Sequence, residues 1–341
     1  MKSGSHQARY YEAGEDGKLH CTLCPHGCKL AAGQRGLCGV RAHVDGQLVS
    51  LNYGRAIAVH MDPIEKKPFF HVLPGSRSLS VATVGCNLRC AHCQNHDISQ
   101  YATRRGEVPG DPTPPEAVVA AAQRGAAATI AFTYTEPTIF IEWAQDIAER
   151  AVVAGVRCVS VTNGFVCEKP IRDFDGRLLA ANVDLKSFRD EFYQQTCKAR
   201  LKPVCDTIER MRSLGIWVEV TTLLIPGLND GPDELRAMAR FLVSVDPAMP
   251  WHLSRFHPDN EMLDRGSTPV ETIARARQIG REAGLRFVYS GNVWGDEGES
   301  TFCPACGARL VERVGFAVRS SRIDGQGACP DCGERIEGIW V

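Results

Sequence analysis

Leu79-Ser80-Val81-Ala82-Thr83-Val84-Gly85-Cys86-Asn87-Leu88-Arg89-Cys90-Ala91-His92-Cys93-Gln94-Asn95 is the stretch on which the reading of this chain turns. An apolar run ends at a glycine, and three cysteines follow in the pattern C-x3-C-x2-C. The run reads as a buried strand, and the cysteines as a loop leaving its C-terminal end. One such loop supplies three thiolates, whereas a 4Fe–4S cube is usually held by four protein ligands. Three ligands leave one iron open, and an open position is what a metal needs to bind substrate. A zinc loop or a chance spacing is the plain alternative.

Outward from this loop the chain repeats a strand-then-helix rhythm. Apolar, β-rich runs fall at 79–84, 129–134, 156–161, 181–185, 217–224, 251–256 and 286–290. Helical patterns lie between them at 115–124, 138–154, 203–214, 232–245 and 269–283, each opening at or near a proline, threonine or acidic residue. Alternation of this kind implies a parallel sheet. Seven strands fall short of the eight that close a barrel. The expected fold class is α/β, a partial (β/α)6 barrel with an extra strand. Active sites of such sheets sit at the C-terminal strand ends.

Several polar residues fall at those ends. Glu136, in Thr133-Tyr134-Thr135-Glu136-Pro137, follows the second strand; its plain role would be to stabilise a helix start. Thr162 and Asn163 follow the third strand. Asp184 and Lys186 end the fourth and share a face, because strand side chains alternate; a simple ion pair is the plain reading. His257 follows the sixth. Cys197 comes shortly after the Asp184–Lys186 strand end, within reach of the barrel mouth, where a thiol could give or receive a hydrogen atom. Lys198 is the one basic neighbour that the sequence offers it, and packing at a helix end is its alternative.

The remaining cysteines among the fifteen form two further sets and a few scattered residues. Cys303-Pro304-Ala305-Cys306-Gly307 and Cys329-Pro330-Asp331-Cys332-Gly333 are two knuckles, each presenting two thiolates from a tight turn. Four thiolates make a closed tetrahedral site, so a C-terminal zinc ribbon is expected, with a rubredoxin-like iron site as the alternative. Cys21, Cys24, Cys28 and Cys38 lie within eighteen residues and form an N-terminal four-cysteine module. Zinc and a second 4Fe–4S cluster both accept four thiolates, and the spacing does not choose between them. His26 reads as an exposed loop residue. The expected units are therefore 1–75 for the N-terminal module and lead-in, 76–298 for the barrel and 299–341 for the ribbon.

Composition narrows the function. Thirty-nine basic against 40 acidic residues, a formal net charge of −1, give no general field for nucleic acid or an anionic membrane surface. There is no apolar run of transmembrane length and no hydrophobic signal core at the N-terminus, so a cytoplasmic location is expected. Clustered cysteines in such a chain point to metal binding rather than to disulfides.

In this order the motifs resemble the AmmeMemoRadiSam system radical S-adenosylmethionine (SAM) enzymes, relatives of the pyruvate formate-lyase activating enzymes. The resemblance runs from Cys21–Cys28 and Gly33–Arg41 through the Cys86 loop, Tyr134–Thr138, Val161–Gly164 and Asn182–Lys186. It continues over Glu219–Asp230, Trp251–Asp259 and Gly291–Gly298 to the ribbon cysteines. It implies a 4Fe–4S cluster on Cys86, Cys90 and Cys93, with SAM bound at the open iron. It implies SAM contacts from Asp184, Leu185, Lys186 and His257, with His92, Glu136, Thr162 and Asn163 counted among the cofactor contacts. Where the activating enzymes carry Gly-Gly-Glu, this chain has Tyr134-Thr135-Glu136, so close backbone approach to the methionine is in question there. A low-potential flavodoxin or ferredoxin donor and Memo-like and AMMECR-type partners are also implied. The favoured activity is reductive SAM cleavage to a 5′-deoxyadenosyl radical that abstracts hydrogen from an unidentified substrate, one that a partner protein could carry. A glycyl-radical activase is the alternative, and a non-enzymatic metal-binding adaptor the third class.

Overall fold

The computed structural model describes residues 6–341. Its centre is one eight-stranded sheet. We number its strands β1 (Ala58–Pro63), β2 (Arg77–Ala82), β3 (Thr129–Phe132), β4 (Arg157–Thr162), β5 (Leu178–Asp184), β6 (Trp217–Leu224), β7 (Trp251–Arg255) and β8 (Val288–Gly291). Strands β2 to β8 are parallel and neighbour one another in chain order; β1 runs antiparallel along β2, pairing Ala58 with Ala82 and Pro63 with Arg77. The sheet stays open between β1 and β8, a partial α/β barrel.

Helices α1 (Pro115–Arg124), α2 (Ile141–Val153), α3 (Leu201–Ser213), α4 (Pro232–Val245) and α5 (Val270–Glu282) connect the parallel strands. Proline occupies the first turn of α1 and α4, where its missing N–H costs no hydrogen bond. All four residues of β3 are buried, as expected of a strand covered on both faces. Ile130 and Phe132 join the large core beneath the helices, whereas Ala131 points the other way, with Val159 and Ala180, into the barrel.

The barrel is closed below by the chain between β1 and β2. Ile64, Phe69 and Val72 pack on Ala131, Val159 and Ala180, the small residues leaving room for the aromatic ring. The buried Glu219 carboxylate of β6 fixes this plug, accepting from the N–H groups of Phe70 (3.0 Å) and His71 (2.8 Å) and from His252 Nε2 (2.6 Å). Thus strand β1 and the plug, both inside the expected 1–75 unit, complete the barrel. Their short alternating pattern had no crossover helix to announce it.

Before β1, two small three-stranded antiparallel sheets carry the N-terminal cysteines, and their buried side chains are continuous with the main core. After β8, strands Thr301–Phe302, Arg309–Val314 and Ala317–Ser321 form a third small sheet. Its Leu310, with Ile336 from the chain that follows, packs with Phe70, Phe287 and Tyr289 at the foot of the barrel. No helix among the described residues is long and apolar enough to cross a membrane.

Candidate active site

A cavity of about 400 Å³ opens at the C-terminal ends of the parallel strands. Cys86, Cys90 and Cys93 line one side of it, together with His92, from the loop after β2. The loop starts at Gly85, whose φ of +106° and tight surroundings exclude a side chain: an added Cβ would lie 2.9 Å from Val40 and 3.1 Å from the Cys38 carbonyl oxygen. Polar donors face the sulfurs. Leu88 N–H points at Cys86 Sγ (3.3 Å), Asn163 Nδ2 lies 3.7 Å from the same sulfur, and Ser99 Oγ is 3.2 Å from Cys93 Sγ. Burial pushes the Cys86 and Cys93 thiols up, so without metal they would stay protonated. Three soft sulfur ligands from one loop, each open to the same cavity and two with donors in place, fit an iron–sulfur cluster with one iron left for another ligand.

Glu136 stands after β3 and is 1% exposed. Its Oε1 accepts from Thr138 N–H (2.9 Å), Thr138 Oγ1 (2.6 Å) and Thr162 Oγ1 (2.7 Å), and its Oε2 from Asn163 N–H (2.8 Å). Burial raises its carboxyl, and these donors work against that rise. Glu136 caps the 3₁₀ turn Pro137–Phe140 that leads into α2 and also borders the cavity, and its Oε2 accepts from one donor only. Asn163 in turn donates to Asn87 Oδ1 (2.9 Å) and so ties β4 to the cysteine loop.

Asp184 and Lys186 face the cavity from β5 and pair at 2.9 Å. Burial alone would lower the Lys186 ammonium, but Asp184 and the nearby Cys90 and Cys197 sulfurs raise it, so it is held charged. Leu185, between them, points away into the core, and its carbonyl accepts from Thr222 Oγ1 (2.8 Å). Its side chain does not line the cavity, because it alternates with Asp184 and Lys186. His257 likewise does not join the wall: it is exposed just past β7, with Nδ1 3.1 Å from Ser267 Oγ.

Cys197 corrects the expectation of a thiol at the barrel mouth. It is fully buried at the end of a π-helical turn, Tyr193–Cys197, and lies behind Cys90 rather than on the cavity. Burial keeps its proton on, and its closeness draws the Cys90 thiol down. The ligand atoms of Cys90, His92 and Cys197 lie within 4.8 Å of one another. The basic neighbour is Lys186, not Lys198; β5 brings it there across the fold.

Some lining residues had no motif to mark them. Tyr134 has a left-handed φ of +64°, a conformation uncommon for a residue with a side chain. Its hydroxyl donates to Asp62, and Lys67 Nζ lies 4.2 Å above its ring. Lys66 and Lys67, both paired with Asp62, reach the cavity from the plug. A lysine pair in an unassigned lead-in carries no local signal.

The other two cysteine sets differ in spacing. Cys303, Cys306, Cys329 and Cys332 hold their sulfurs within 4.8 Å of one another, with Cys303–Cys332 at 3.6 Å and Cys306–Cys329 at 3.8 Å. A tetrahedral zinc with bonds of about 2.3 Å needs sulfurs about 3.8 Å apart, so these residues fit one ion. Cys21, Cys24, Cys28 and Cys38 all line a second, small enclosed cavity with His26, Arg41, Asn87 and Ile139. His26 is not an exposed loop residue: it is partly buried, and its Nε2 donates to the Asn87 carbonyl at 2.7 Å.

Comparison with known proteins agrees with this geometry. The model of the Radical SAM superfamily matches residues 80–242, from β2 through most of α4. The uncharacterized protein MJ0808 of Methanocaldococcus jannaschii is 41% identical over 333 residues, 97% of this chain and 98% of that protein. Among solved structures, SuiB of Streptococcus suis bound to S-adenosylmethionine is similar with a TM-score of 0.52 at 8% identity, over 71% of this chain and 56% of that one. A radical SAM methyltransferase from Sphaerobacter thermophilus has a TM-score of 0.51 at 16% identity, over 90% of this chain and 81% of that one. At these identities the two structures speak for the fold alone. The chain belongs to the radical SAM superfamily, enzymes that use an iron–sulfur cluster and S-adenosylmethionine to generate a radical for hydrogen abstraction.

Proposed function

We propose that this enzyme cleaves SAM reductively at a 4Fe–4S cluster on Cys86, Cys90 and Cys93 and uses the resulting radical on a substrate other than a glycyl-radical enzyme. A cluster bound there supplies the electron that breaks the S–C5′ bond. The chain's own residues bind and orient the cofactor. Glu136 Oε2 offers its free lone pair to the methionine ammonium, and Asp184, Lys186, Thr162, Asn163 and His92 offer polar contacts around the rest of the molecule. The single supporting observation is convergence: three thiols of one loop and the Glu136, Asp184 and Lys186 side chains border one cavity, whose volume falls in the range of about 300–1,000 Å³ usual for small-molecule sites.

In this reading the N-terminal module and lead-in of 1–75 lends β1 and the plug to the barrel of 76–298, and 299–341 holds a structural zinc. A low-potential donor of flavodoxin or ferredoxin type reduces the cluster, and a Memo-like or AMMECR-type protein presents the substrate in the cytoplasm. The test is anaerobic incubation with SAM deuterated at C5′ and reduced flavodoxin. The reading expects methionine and 5′-deoxyadenosine from the wild type and none from the Cys86→Ala/Cys90→Ala/Cys93→Ala variant. SAM cleavage by that variant would overturn it. With unlabelled SAM, a deuterated metabolite or deuterated Memo-like protein that gives deuterium to 5′-deoxyadenosine would be identified as the substrate.

A further inference from the structure

The N-terminal cysteines are close enough to share a site and too far apart to share a single ion. All four line one enclosed cavity. Yet among the described residues no three of Cys21, Cys24, Cys28 and Cys38 bring their sulfurs within 4.8 Å of one another, in contrast with the four C-terminal cysteines. The same holds for Cys86, Cys90 and Cys93, the set attributed to the superfamily's cluster. One tetrahedral zinc requires sulfurs about 3.8 Å apart, as the ribbon has. A four-iron cluster binds each thiolate at a different corner and holds them farther apart.

A second observation points to what fills the space. Arg41 lines the same cavity and is 1% exposed. Its Nη2 meets both oxygens of the buried Glu142, at 2.6 and 2.5 Å. Its Nε and Nη1 have no hydrogen-bond partner. The three N–H groups that these two nitrogens carry are buried with nothing to accept from them, a costly arrangement for a guanidinium. Cys21 and Cys38 lie near enough to feel the Arg41 charge. Four thiolates around a 4Fe–4S core carry net negative charge, and the core's sulfides accept hydrogen bonds, so the bare donors and the positive charge both meet their complement. We propose that Cys21, Cys24, Cys28 and Cys38 hold a second 4Fe–4S cluster, seated against the Arg41 guanidinium and fully ligated by protein.

The site is also adjacent to the active one. Asn87, the residue after Cys86, lines the N-terminal cavity, and the missing Gly85 side chain is what lets the Cys38 carbonyl approach the loop. Full ligation means that this cluster has no position for SAM, which separates it experimentally from the first.

The test uses the full chain, purified and reconstituted anaerobically. The wild type should hold about eight irons and about eight sulfides per chain, with one zinc. The decisive sample is Cys86→Ala/Cys90→Ala/Cys93→Ala, which leaves the N-terminal site untouched. It should retain about four irons and one zinc, and give a reduced-cluster electron paramagnetic resonance signal that added SAM does not change. Two zincs and no iron in this variant would overturn the proposal. In the Cys21→Ala/Cys24→Ala/Cys28→Ala/Cys38→Ala variant, a remaining signal that SAM does not change would instead count against the active-site assignment, so the two readings fail separately.

Discussion

Lys186 Nζ lies 2.9 Å from Asp184 Oδ2 while Leu185 between them is buried on the opposite side of the strand. The pair presents both charges to one cavity, and neither partner is replaceable alone. Lys186→Met should raise the KM for SAM about tenfold or more, the loss expected when one charge-assisted contact is removed and Asp184 is left uncompensated. Iron content should not change. A titration of SAM against its cleavage rate, beside an iron assay, checks this.

Glu136→Gln tests whether the carboxylate is more than a cap. An amide cannot accept on its nitrogen, so at least one of the four donors now facing Glu136 loses its partner. A loss of about 1–3 kcal/mol in stability is expected, together with weaker SAM binding. Anaerobic denaturation and SAM titration on the same sample measure both.

Cys306→Ser with Cys332→Ser should remove one zinc per chain and leave the iron count unchanged. Both side chains are exposed, so the substitution perturbs no packing. Elemental analysis decides the outcome; two serines that leave zinc in place would show that these knuckles do not hold it.

Cys197→Ala removes a thiol whose sulfur lies within 4.8 Å of the Cys90 sulfur. The cluster should still assemble, because the three loop cysteines remain. Its reduced-state resonance should shift in g-value, since a polar S–H group beside a ligand sulfur tunes an iron–sulfur centre. A side chain that only fills space would leave the spectrum unmoved.

His71 gives a pH dependence. Burial lowers its pKa from 6.5 to about 4, while Nε2 and Nδ1 bond the Tyr289 hydroxyl and the Glu337 carbonyl, both at 2.6 Å. The unfolded chain takes up a proton near 6.5 that the folded chain refuses until about 4. Stability is therefore fully present above 6.5, falls as pH drops, and reaches its full loss, about 3 kcal/mol, below 4. Urea melts at pH 7.5 and 5 should differ, and His71→Asn should flatten the difference.

Much of this was legible in the chain because two periodicities carry it. Helices α1 and α4 begin and end where proline and the apolar spacing place them. The strand-end residues Glu136, Thr162, Asn163, Asp184 and Lys186 reach the cavity for the same reason: a parallel sheet points its C-terminal ends one way. What escaped was produced by long-range packing. The plug is irregular chain whose meaning lies in Ala131 and Ala180 leaving room for Phe69. Lys186 meets Cys197 only because β5 and the π-helical turn fold against each other. Leu185 shows a limit of resemblance, since matching a position in a motif says nothing of where its side chain goes.

The plug has one further consequence. Its near end, Lys66 and Lys67, is part of the cavity lining, and its far end, Phe70 and His71, is gripped from outside by the ribbon. Arg313 donates to the Phe70 carbonyl at 2.7 Å, and the Leu73 N–H bonds the Ile339 carbonyl at 2.7 Å. The last forty residues thus act as a stopper's cap. Cutting them away would bare the bottom of the vessel, so in a chain shortened at its C-terminus the amide hydrogens of Phe69–Val72 should exchange with solvent sooner than those of the parallel strands.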